Sequence, residues 1–392
     1  MSSPAAGLGF VRDYNEALLV AIARGSASFD RASAAAATGL TPQAVSKVLG
    51  RLIDRGIVAP AALRRQGVGK PSILYELVPA SRFAIGVHVA RRTLRTVLAN
   101  LRGDVESSSV DPLPADFTPR DLLDAIAGAV ARLLRERPDV RERLVGLGIG
   151  MVGPLDHALG VVRDAHRLRH WHDVRLREDA QAALGLPVHL DKDVTAGVTA
   201  EAWRRGPGFD DAALVMVESG VGAGLWLNGR VHRGAHTNAG EFGHTVLSLD
   251  GPRCACGRHG CVEVLHDRAV AEGDLPRAAR ILGSGVVNLL QTVDAGHVVL
   301  AGADLLRHGA LYLAAVRQAV REEVPRADWL TVDVTLSSLG ADIIAAGAAM
   351  QILDTHYGIP APLADHGTDP AAPGRRPRPA DAAPRPPAGK GR

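Results

Sequence analysis

The sequence has few aromatic residues, only three cysteines and no long apolar run. Aromatic residues make up 4% of the 392 positions, so packing must rely mainly on aliphatic side chains. No stretch approaches the roughly 20 apolar residues that a membrane-spanning helix needs. The first residues show no basic start followed by an apolar signal stretch. These absences predict a cytoplasmic protein with no membrane segment, and the length predicts two or three globular units.

Charge is distributed unevenly along the chain. The net charge is +3, but residues 1–80 carry nine Lys or Arg against five Asp or Glu, and residues 361–392 carry six against three. The middle of the chain is therefore net negative. A basic beginning on a mildly acidic body suggests contact with a polyanion, although such an excess also fits ordinary scatter.

Three zones follow from the residue pattern. Residues 1–80, called the head, contain helical patterns followed by two short strands around Gly67 and Gly69. From Ser81 to about Gly358 strands alternate with amphipathic helices, which is typical of α/β layers, and we call this part the body. Residues 359–392 are rich in Pro, Ala, Gly and Arg, so this tail is predicted to be disordered.

The head has the pattern of a helix-turn-helix. A first helix is predicted over Asn15 to Ala23, and a second over Arg31 to Thr38 with Asp30 as its cap. Thr41 caps a third helix that has Pro42 at its first position. Apolar residues recur along one side of this third helix, at Val45, Val48, Leu49, Leu52 and Ile53.

The other side of the third helix and the strands after it are polar and basic. Such side chains suit a helix in the major groove followed by a wing that touches phosphates or the minor groove. The alternative, a three-helix protein-interaction module, does not explain the basic strand pair. A winged helix-turn-helix is therefore predicted, with DNA contacts from Thr41, Gln43, Ser46, Lys47, Arg51, Arg64, Arg65 and Lys70.

All three cysteines lie in one short segment. Cys254, Cys256 and Cys261 fall close together, and His244 precedes the first of them by ten positions. Three thiolates and one imidazole form a closed tetrahedral Zn²⁺ site of the structural kind. A disulfide with one free thiol is the rival interpretation, but the odd cysteine count and the lack of a secretion signal disfavour it. We expect structural zinc at these four residues.

Motifs around the cysteine run carry a family resemblance. They are Gly220–Leu225 (GVGAGL), Gly229–Gly234 (GRVHRG), Ala239–His244 (AGEFGH) and the run CxCGxxGCxE that ends at Glu263. Together they resemble the ROK family of repressors, open reading frames and sugar kinases. The layout of head and body is similar to that of the family's repressors, among them the xylose and N-acetylglucosamine regulators.

The resemblance, which extends over roughly Asn15 to Gly358, implies an α/β fold. A two-lobed actin/hexokinase-like domain follows the head, with ligand bound between the lobes. Residues 81–192 and a returning helix near 335–358 make up the first lobe. Residues 193–334 make up the second lobe, which includes the zinc site.

The resemblance also implies which residues hold a sugar. The family's hydroxyl-binding residues match Asp193, Glu241, His244 and Glu263. Asp193 stands where the family's kinases keep the base that deprotonates the attacking hydroxyl. It is also placed to be the N-cap of a helix over Val194 to Trp203.

Two cations stand where the family's sugar site has amides. They are Lys192 and Arg167. This exchange suggests an anionic ligand, such as a sugar phosphate or an acidic sugar. The alternative is that Lys192 turns outward or pairs with Asp191.

The segments that match the family's phosphate loops depart from its pattern. His88 stands at the position of an Asp, Glu218 begins a loop that is usually Gly-Thr-Gly, and Ala301-Gly302 has lost one glycine. These changes remove the backbone room and the favourable charge that Mg-ATP needs. Kinase activity is therefore not expected.

The prediction is a DNA-binding transcriptional repressor of carbohydrate uptake and catabolism genes. Its partners are double-stranded operator DNA and a sugar or sugar derivative between the lobes. The resemblance further implies a homodimer or a higher homo-oligomer. The alternatives are an ATP-dependent sugar kinase with a DNA-binding head, and a constitutive DNA-binding protein whose body only dimerises.

Overall fold

The structure is a computed structural model that describes six stretches of the chain. They are residues 8–64, 72–163, 170–206, 208–218, 220–324 and 330–359. Some predictions concern residues or side chains outside this description, namely Arg65, Lys70, Arg167, the side chain of Arg64 and the tail from Pro360 onward. These stay predictions.

Three helices and a two-stranded sheet form the head. They are α1 (Leu8–Gly25), α2 (Arg31–Thr38), α3 (Pro42–Asp54), β1 (Val58–Arg64) and β2 (Ser72–Leu77). The antiparallel pairing of β1 with β2 confirms the predicted strand pair. Helix α1 begins earlier than the predicted Asn15, and a stack of Phe10 on Tyr14, with 6.2 Å between ring centroids, supports its additional turns.

Local hydrogen bonds start α2 and α3 at the predicted residues. Asp30 accepts from the Ser33 backbone N–H at 2.8 Å, and Ser33 Oγ accepts from the Asp30 N–H at 3.0 Å, which is a capping box. Thr41 Oγ1 accepts from the Ala44 N–H at 3.2 Å, with Pro42 as the first residue of α3. Both predicted helices are confirmed.

The first sheet of the body has five strands in the order β5-β4-β3-β6-β9. Strands β3 to β5 are an antiparallel meander, while β6 and β9 run parallel to β3. The elements in chain order are β3 (Phe83–Val89), β4 (Thr93–Asn100), β5 (Val105–Pro112), α4 (Pro119–Glu136), β6 (Leu144–Met151), β7 (Leu155–Asp156), β8 (Val161–Val162), α5 (Leu176–Leu184) and β9 (Val188–Lys192).

The second sheet repeats this pattern in the order β12-β11-β10-β13-β14. Again a meander continues into two parallel strands. The elements are α6 (Asp193–Arg205), β10 (Ala212–Val217), β11 (Val221–Leu227), β12 (Arg230–Val231), α7 (Val262–Ala271), α8 (Leu275–Val293), β13 (His297–Ala301), α9 (Ala303–Leu306), α10 (Gly309–Glu323), β14 (Asp333–Leu336) and α11 (Ile343–Tyr357).

Two almost fully buried helices, α6 and α11, pack against each other and against the sheets. Helix α11 lies on β3 and β6, and α6 lies on β10 and β11. The contact requires small residues, because a Cβ atom at Gly347 would overlap the Ala196 carbonyl oxygen, and one at Gly148 would overlap that of Ala348. No helix among the described residues is long and apolar enough to cross a lipid bilayer.

We predict that Gly347→Ala destabilises the protein, because its methyl group has no room against the α6 backbone. The free energy of unfolding should fall by about 1–3 kcal/mol, the usual cost of overpacking a core. Gly128→Ala is the matched control, since Gly128 lies in α4 with open space around it and the change favours a helix. Urea denaturation of both variants checks this, and equal stability of the Gly347 variant and the native protein would contradict it.

Candidate functional site

The outer side of α3 carries exposed polar residues, and the strand pair of β1 and β2 follows the helix. Gln43, Ser46 and Lys47 are exposed, and Thr41 is exposed while it caps the helix. On the inner side Val45, Val48, Leu49 and Leu52 are buried as predicted, and Ile53 at the edge is half-buried. The helix therefore presents a short polar surface on a rigid hydrophobic support.

Arg51 is not a free member of this surface. Its Nε lies 2.6 Å from Glu16 Oε1 on α1, and Arg55 Nη1 lies 2.6 Å from the other carboxylate oxygen. Glu16 therefore ties the C-terminal half of α3 to α1 with two charge-assisted hydrogen bonds. Nothing in the local pattern of α3 indicates this partner, which is 35 positions away from Arg51.

The four predicted metal ligands meet at one point. His244 Nδ1 lies 3.6 Å from Cys254 Sγ, Cys256 Sγ lies 3.7 Å from Cys261 Sγ, and all four ligand atoms lie within 4.8 Å of one another. Tetrahedral bonds of about 2.3 Å to sulfur imply sulfur separations of about 3.8 Å. The donor set and its spacing therefore fit a tetrahedral metal ion with four protein ligands.

The alternative of a disulfide is wrong for the structure. The three thiols are free, and the 3.7 Å between two of the sulfurs is far longer than the roughly 2.05 Å of a disulfide bond. Gly260, with φ of +62°, lets the loop fold tightly over Ser248, because a Cβ atom there would overlap the Ser248 carbonyl oxygen. Cys261 then starts α7 as its N-cap residue.

A cavity of about 810 Å³ opens beside the metal cluster. Its walls include the ends of β3, β6, β9 and β10 and the first turn of α6. Five of the predicted ligand-binding residues line it, namely Asp193, Glu241, His244, Glu263 and Lys192. Such a volume exceeds the lower end of the range for small-molecule sites, so a sugar with a substituent fits as well as a monosaccharide.

Lys192 faces inward and pairs with Glu241, so both alternatives stated for it are wrong. Its Nζ lies 2.5 Å from Glu241 Oε1 and 3.2 Å from the carbonyl oxygen of Ala239. Asp191 instead accepts hydrogen bonds from Arg233, at 2.7 Å for Nη2. The Lys192 charge is therefore compensated within the protein, which leaves the cavity without a strong demand for an anionic ligand.

Asp193 is the first residue of α6 and not its N-cap, which is Lys192. The side chain of Asp193 accepts from the N–H of Val194 at 2.7 Å. Burial raises the pKa of Asp193 to about 6, and Lys192 partly opposes this rise. An acceptor that faces a cavity at the start of a helix is suited to a hydroxyl group.

His88 and Glu218 line another side of the cavity. His88 Nε2 lies 4.0 Å from Glu218 Oε2. Burial, with a smaller effect of Arg95, lowers the pKa of His88 to about 4, so its ring is neutral at pH 7. Burial and the nearby Asp193 carboxylate raise the pKa of Glu218 to about 7. This side of the cavity therefore has acceptor groups and no positive charge on the histidine.

Glu263 has a second role that the motif did not reveal. Its Oε2 accepts from the N–H of Val221 at 2.9 Å, and a Cβ atom at Gly220 would come within 2.7 Å of the same oxygen. Glu263 thus supports the turn between β10 and β11 while it lines the cavity. Arg233, the partner of Asp191, lies inside the Gly229–Gly234 motif, and that motif was the available signal for its role.

Comparisons with known proteins show which family and which relatives the chain is similar to. Residues 84–272 match the family model described as ROK family. The xylose repressor of Bacillus subtilis (strain 168) is 22% identical over 373 residues, covering 88% of this chain and 96% of the repressor. A glucokinase of Streptomyces coelicolor is 26% identical over 312 residues, covering 68% of this chain and 96% of the glucokinase.

A solved structure supports the fold over most of the chain. It is a ROK family transcriptional regulator, a homolog of the Escherichia coli Mlc protein, with a TM-score of 0.72 at 19% identity, covering 89% of this chain and 98% of its own. The two-lobed actin/hexokinase-like fold that follows an N-terminal winged helix-turn-helix head is therefore confirmed.

We predict that Glu218→Gln stabilises the protein at high pH. A carboxyl group whose pKa is raised by folding stabilises the fold at low pH and loses that contribution as the pH rises from about 4.5 through about 7. The variant should exceed the native protein by about 1–3 kcal/mol at pH 8, and the difference should shrink toward pH 5. Asp124→Asn, an exposed carboxylate on α4, is the control with no such trend. Urea denaturation across this pH range measures it, and a pH-independent difference would refute it.

Proposed function

The chain carries a ROK family domain, and from that premise we propose that it is a DNA-binding transcriptional repressor controlled by a sugar or sugar derivative. The main support for the proposal is the share of the chain that the alignment with a repressor covers. The alignment with the xylose repressor covers 88% of the chain and so extends well beyond the body, whereas the glucokinase leaves about a third of the chain without a counterpart. The regulated genes would serve carbohydrate uptake and catabolism, and the site of action would be the cytoplasm.

The head would bind operator DNA through α3. Thr41, Gln43, Ser46 and Lys47 would contact the major groove, and the strands after α3 would contact backbone or minor groove through Arg64, Arg65 and Lys70. Arg51, held by Glu16, would act mainly by fixing the helix. A homodimer would set two such helices about one helical turn apart on a pseudo-palindromic site.

The cavity would bind the effector through acceptors for hydroxyl groups. Asp193, Glu241 and Glu263 would accept hydrogen bonds from hydroxyls, and charge-assisted bonds of this kind are stronger than neutral ones. Lys192 would donate to a ring or hydroxyl oxygen. Because Glu241 already compensates its charge, the geometry favours a neutral sugar over an anionic one. Arg167 belongs to the proposal only through the family resemblance.

Structural zinc is the metal that the cluster fits best. His244, Cys254, Cys256 and Cys261 would hold it, and the soft sulfur-rich donor set is the one that zinc prefers in closed sites. The ion would crosslink a loop that has little core of its own. His244 lines the cavity as well, so fixing its ring would also fix the wall against which the effector rests.

Catalysis is not part of this proposal, although the runner-up function is an ATP-dependent ROK sugar kinase. A kinase needs glycine-rich backbone and positive charge at the transferred phosphate. Here the corresponding wall holds a buried neutral His88 and the carboxyl of Glu218. Asp193 would then serve as a hydroxyl acceptor and not as a catalytic base.

We predict one zinc ion per chain in the purified protein, measured by inductively coupled plasma mass spectrometry. His244→Ala and Cys261→Ser should lose the ion, because three ligands hold zinc far less tightly than four, and the melting temperature should fall by several degrees. His259→Ala is the matched control, since His259 lies in the same loop, is not one of the four clustered ligands and bonds the Gly251 carbonyl oxygen at 3.1 Å. Absence of stoichiometric zinc from the native protein would reject the metal assignment.

We predict that a sugar releases the protein from its operator. A duplex selected from random sequences serves as operator, and its dissociation constant is measured with and without D-xylose, D-glucose and their phosphates. The effective sugar should weaken binding by about 5–150-fold, the usual range of such coupling. If no sugar changes the operator affinity, the prediction is wrong and the alternative of a constitutive DNA-binding protein is favoured.

The same assay tests the assigned DNA surface. Lys47→Ala should weaken operator binding by about 1–3 kcal/mol if Lys47 contacts a base, or lower the salt dependence if it contacts a phosphate. Arg141→Ala, which removes a cation from the body, is the control. Operator binding by Lys47→Ala that equals the control at every salt concentration would contradict the placement of α3 in the groove.

A further inference from the structure

Arg24 joins the last turn of α1 in the head to the last turn of α6 in the body. Its guanidinium carbon lies 3.2 Å from the centroid of the Trp203 ring, and its Nη2 donates to the Trp203 carbonyl oxygen at 3.3 Å. A cation over the face of a tryptophan is attracted by the ring, most strongly when water is excluded. One side chain of the head thus makes both a ring contact and a hydrogen bond to a single residue of the body.

The Arg24 side chain is half-buried, so its charge is partly shielded from water. Burial lowers the pKa of its guanidinium to about 10, and the carboxylate of Asp354 on α11 partly offsets this effect. Its buried Nε–H has no hydrogen-bond partner among the described residues. An apolar side chain would make a static contact at lower cost than a half-buried cation whose Nε–H has no partner among the described residues. The arrangement therefore suits a contact whose strength differs between two states.

Trp203 connects this contact to the cavity through α6. Its Nε1 donates to the Arg102 carbonyl oxygen at 3.1 Å, which fixes the ring against the turn after β4. Ten residues earlier, Asp193 begins the same helix in the cavity wall. At 1.5 Å per residue the two sites are about 15 Å apart along one rigid helix. A small tilt of α6 at the cavity must therefore move the surface on which Arg24 rests.

A buried polar chain makes the second connection, through α11. Gln351 Nε2 donates to Asp191 Oδ2 at 2.9 Å and lies 3.3 Å from Thr199 Oγ1 on α6. Asp191 also accepts from the backbone N–H of Lys192, whose side chain is in the cavity wall. Gln351 lies one helical turn before Asp354, the carboxylate whose charge acts on Arg24.

We propose that Arg24 is a positioning residue that transmits the state of the cavity to the DNA-binding head through Trp203 and Asp354. This inference rests on the proposed function and names how its two halves are coupled. Ligand-dependent movement of α6 and α11 shifts the surface that the Arg24 guanidinium contacts. The angle of α1 relative to the body changes as a result. Because Glu16 ties α1 to Arg51 and Arg55, the orientation of α3 follows. Loss of Arg24 therefore uncouples the two sites without removing either.

Arg24→Met tests this in the full-length protein, with Arg12→Met as the matched control. Arg12 lies on the same helix and is exposed, and among the residues that the structure describes its ion pair is with the adjacent Asp13. The readout is the ratio of operator dissociation constants with and without D-xylose or D-glucose. We expect a wild-type ratio of about fivefold or more to fall below about twofold in Arg24→Met while calorimetry still detects sugar binding, and to persist in Arg12→Met. A wild-type ratio in Arg24→Met overturns the proposal.

A ligand-free cycle separates this inference from the proposed function. Lys192→Met, which breaks the Lys192–Glu241 pair, should change operator affinity severalfold in the native background and leave it unchanged in the Arg24→Met background. Residues this far apart act additively unless they are coupled, so equal changes in both backgrounds overturn the proposal. Non-additivity together with no response to any sugar would retain the coupling and reject the sugar effector.

Further variants guard against loss of folding. Should Arg24→Met lose zinc or unfold, Arg24→Lys and Trp203→Phe take its place, because each weakens the stacked contact while keeping the bulk of the side chain. Both are expected to lower the ligand-induced ratio, with Arg24→Lys between the native protein and Trp203→Phe. A native ratio in both variants overturns the role of the stack.

Discussion

The close contact between α6 and α11 is the constraint on which the rest of the structure depends. These helices touch through backbone at Gly347 and Ala196, and α11 touches the first sheet in the same manner at Gly148. Backbones that meet without intervening side chains leave little freedom for independent movement. Both sheets, the cavity and the head therefore contact one rigid pair of helices, α6 and α11. Asp193 starts α6 at the cavity, and Trp203 lies in its last turn, where it contacts Arg24 of the head.

Charge compensation shapes the cavity within this frame. Lys192 pairs with Glu241, and Asp191 pairs with Arg233. These ion pairs offset much of the desolvation free energy of the four charged groups. The carboxyl groups of Asp193, Glu241 and Glu263 line the cavity as hydrogen-bond acceptors, which suits hydroxyl groups. Glu218 is the exception, because burial near Asp193 leaves its carboxyl group poorly solvated and raises its pKa.

Features that depend on neighbouring residues could be predicted well. Three cysteines in one short loop with His244 shortly before them left little choice of partners, and the structure brings all four ligand atoms together. The starts of α2 and α3 were equally predictable, since Asp30 and Thr41 bond backbone groups three positions ahead. The residues of the cavity came from the family resemblance instead, and no spacing in the chain would have assembled them.

The sequence by itself determined the helix caps and the polar face of α3, because each arises from side chains within a few positions of one another. It also placed the four candidate metal ligands in one segment, residues 244–261. Only the tertiary structure decided which charges pair. Lys192 pairs with Glu241, which is 49 positions away in the sequence, and Arg51 pairs with Glu16, which is 35 positions away. The physical reason is that a long charged side chain reaches several partners at similar energy. The partner that it pairs with depends on which remote segments the packed helices bring within hydrogen-bond distance. The local sequence pattern does not predict this.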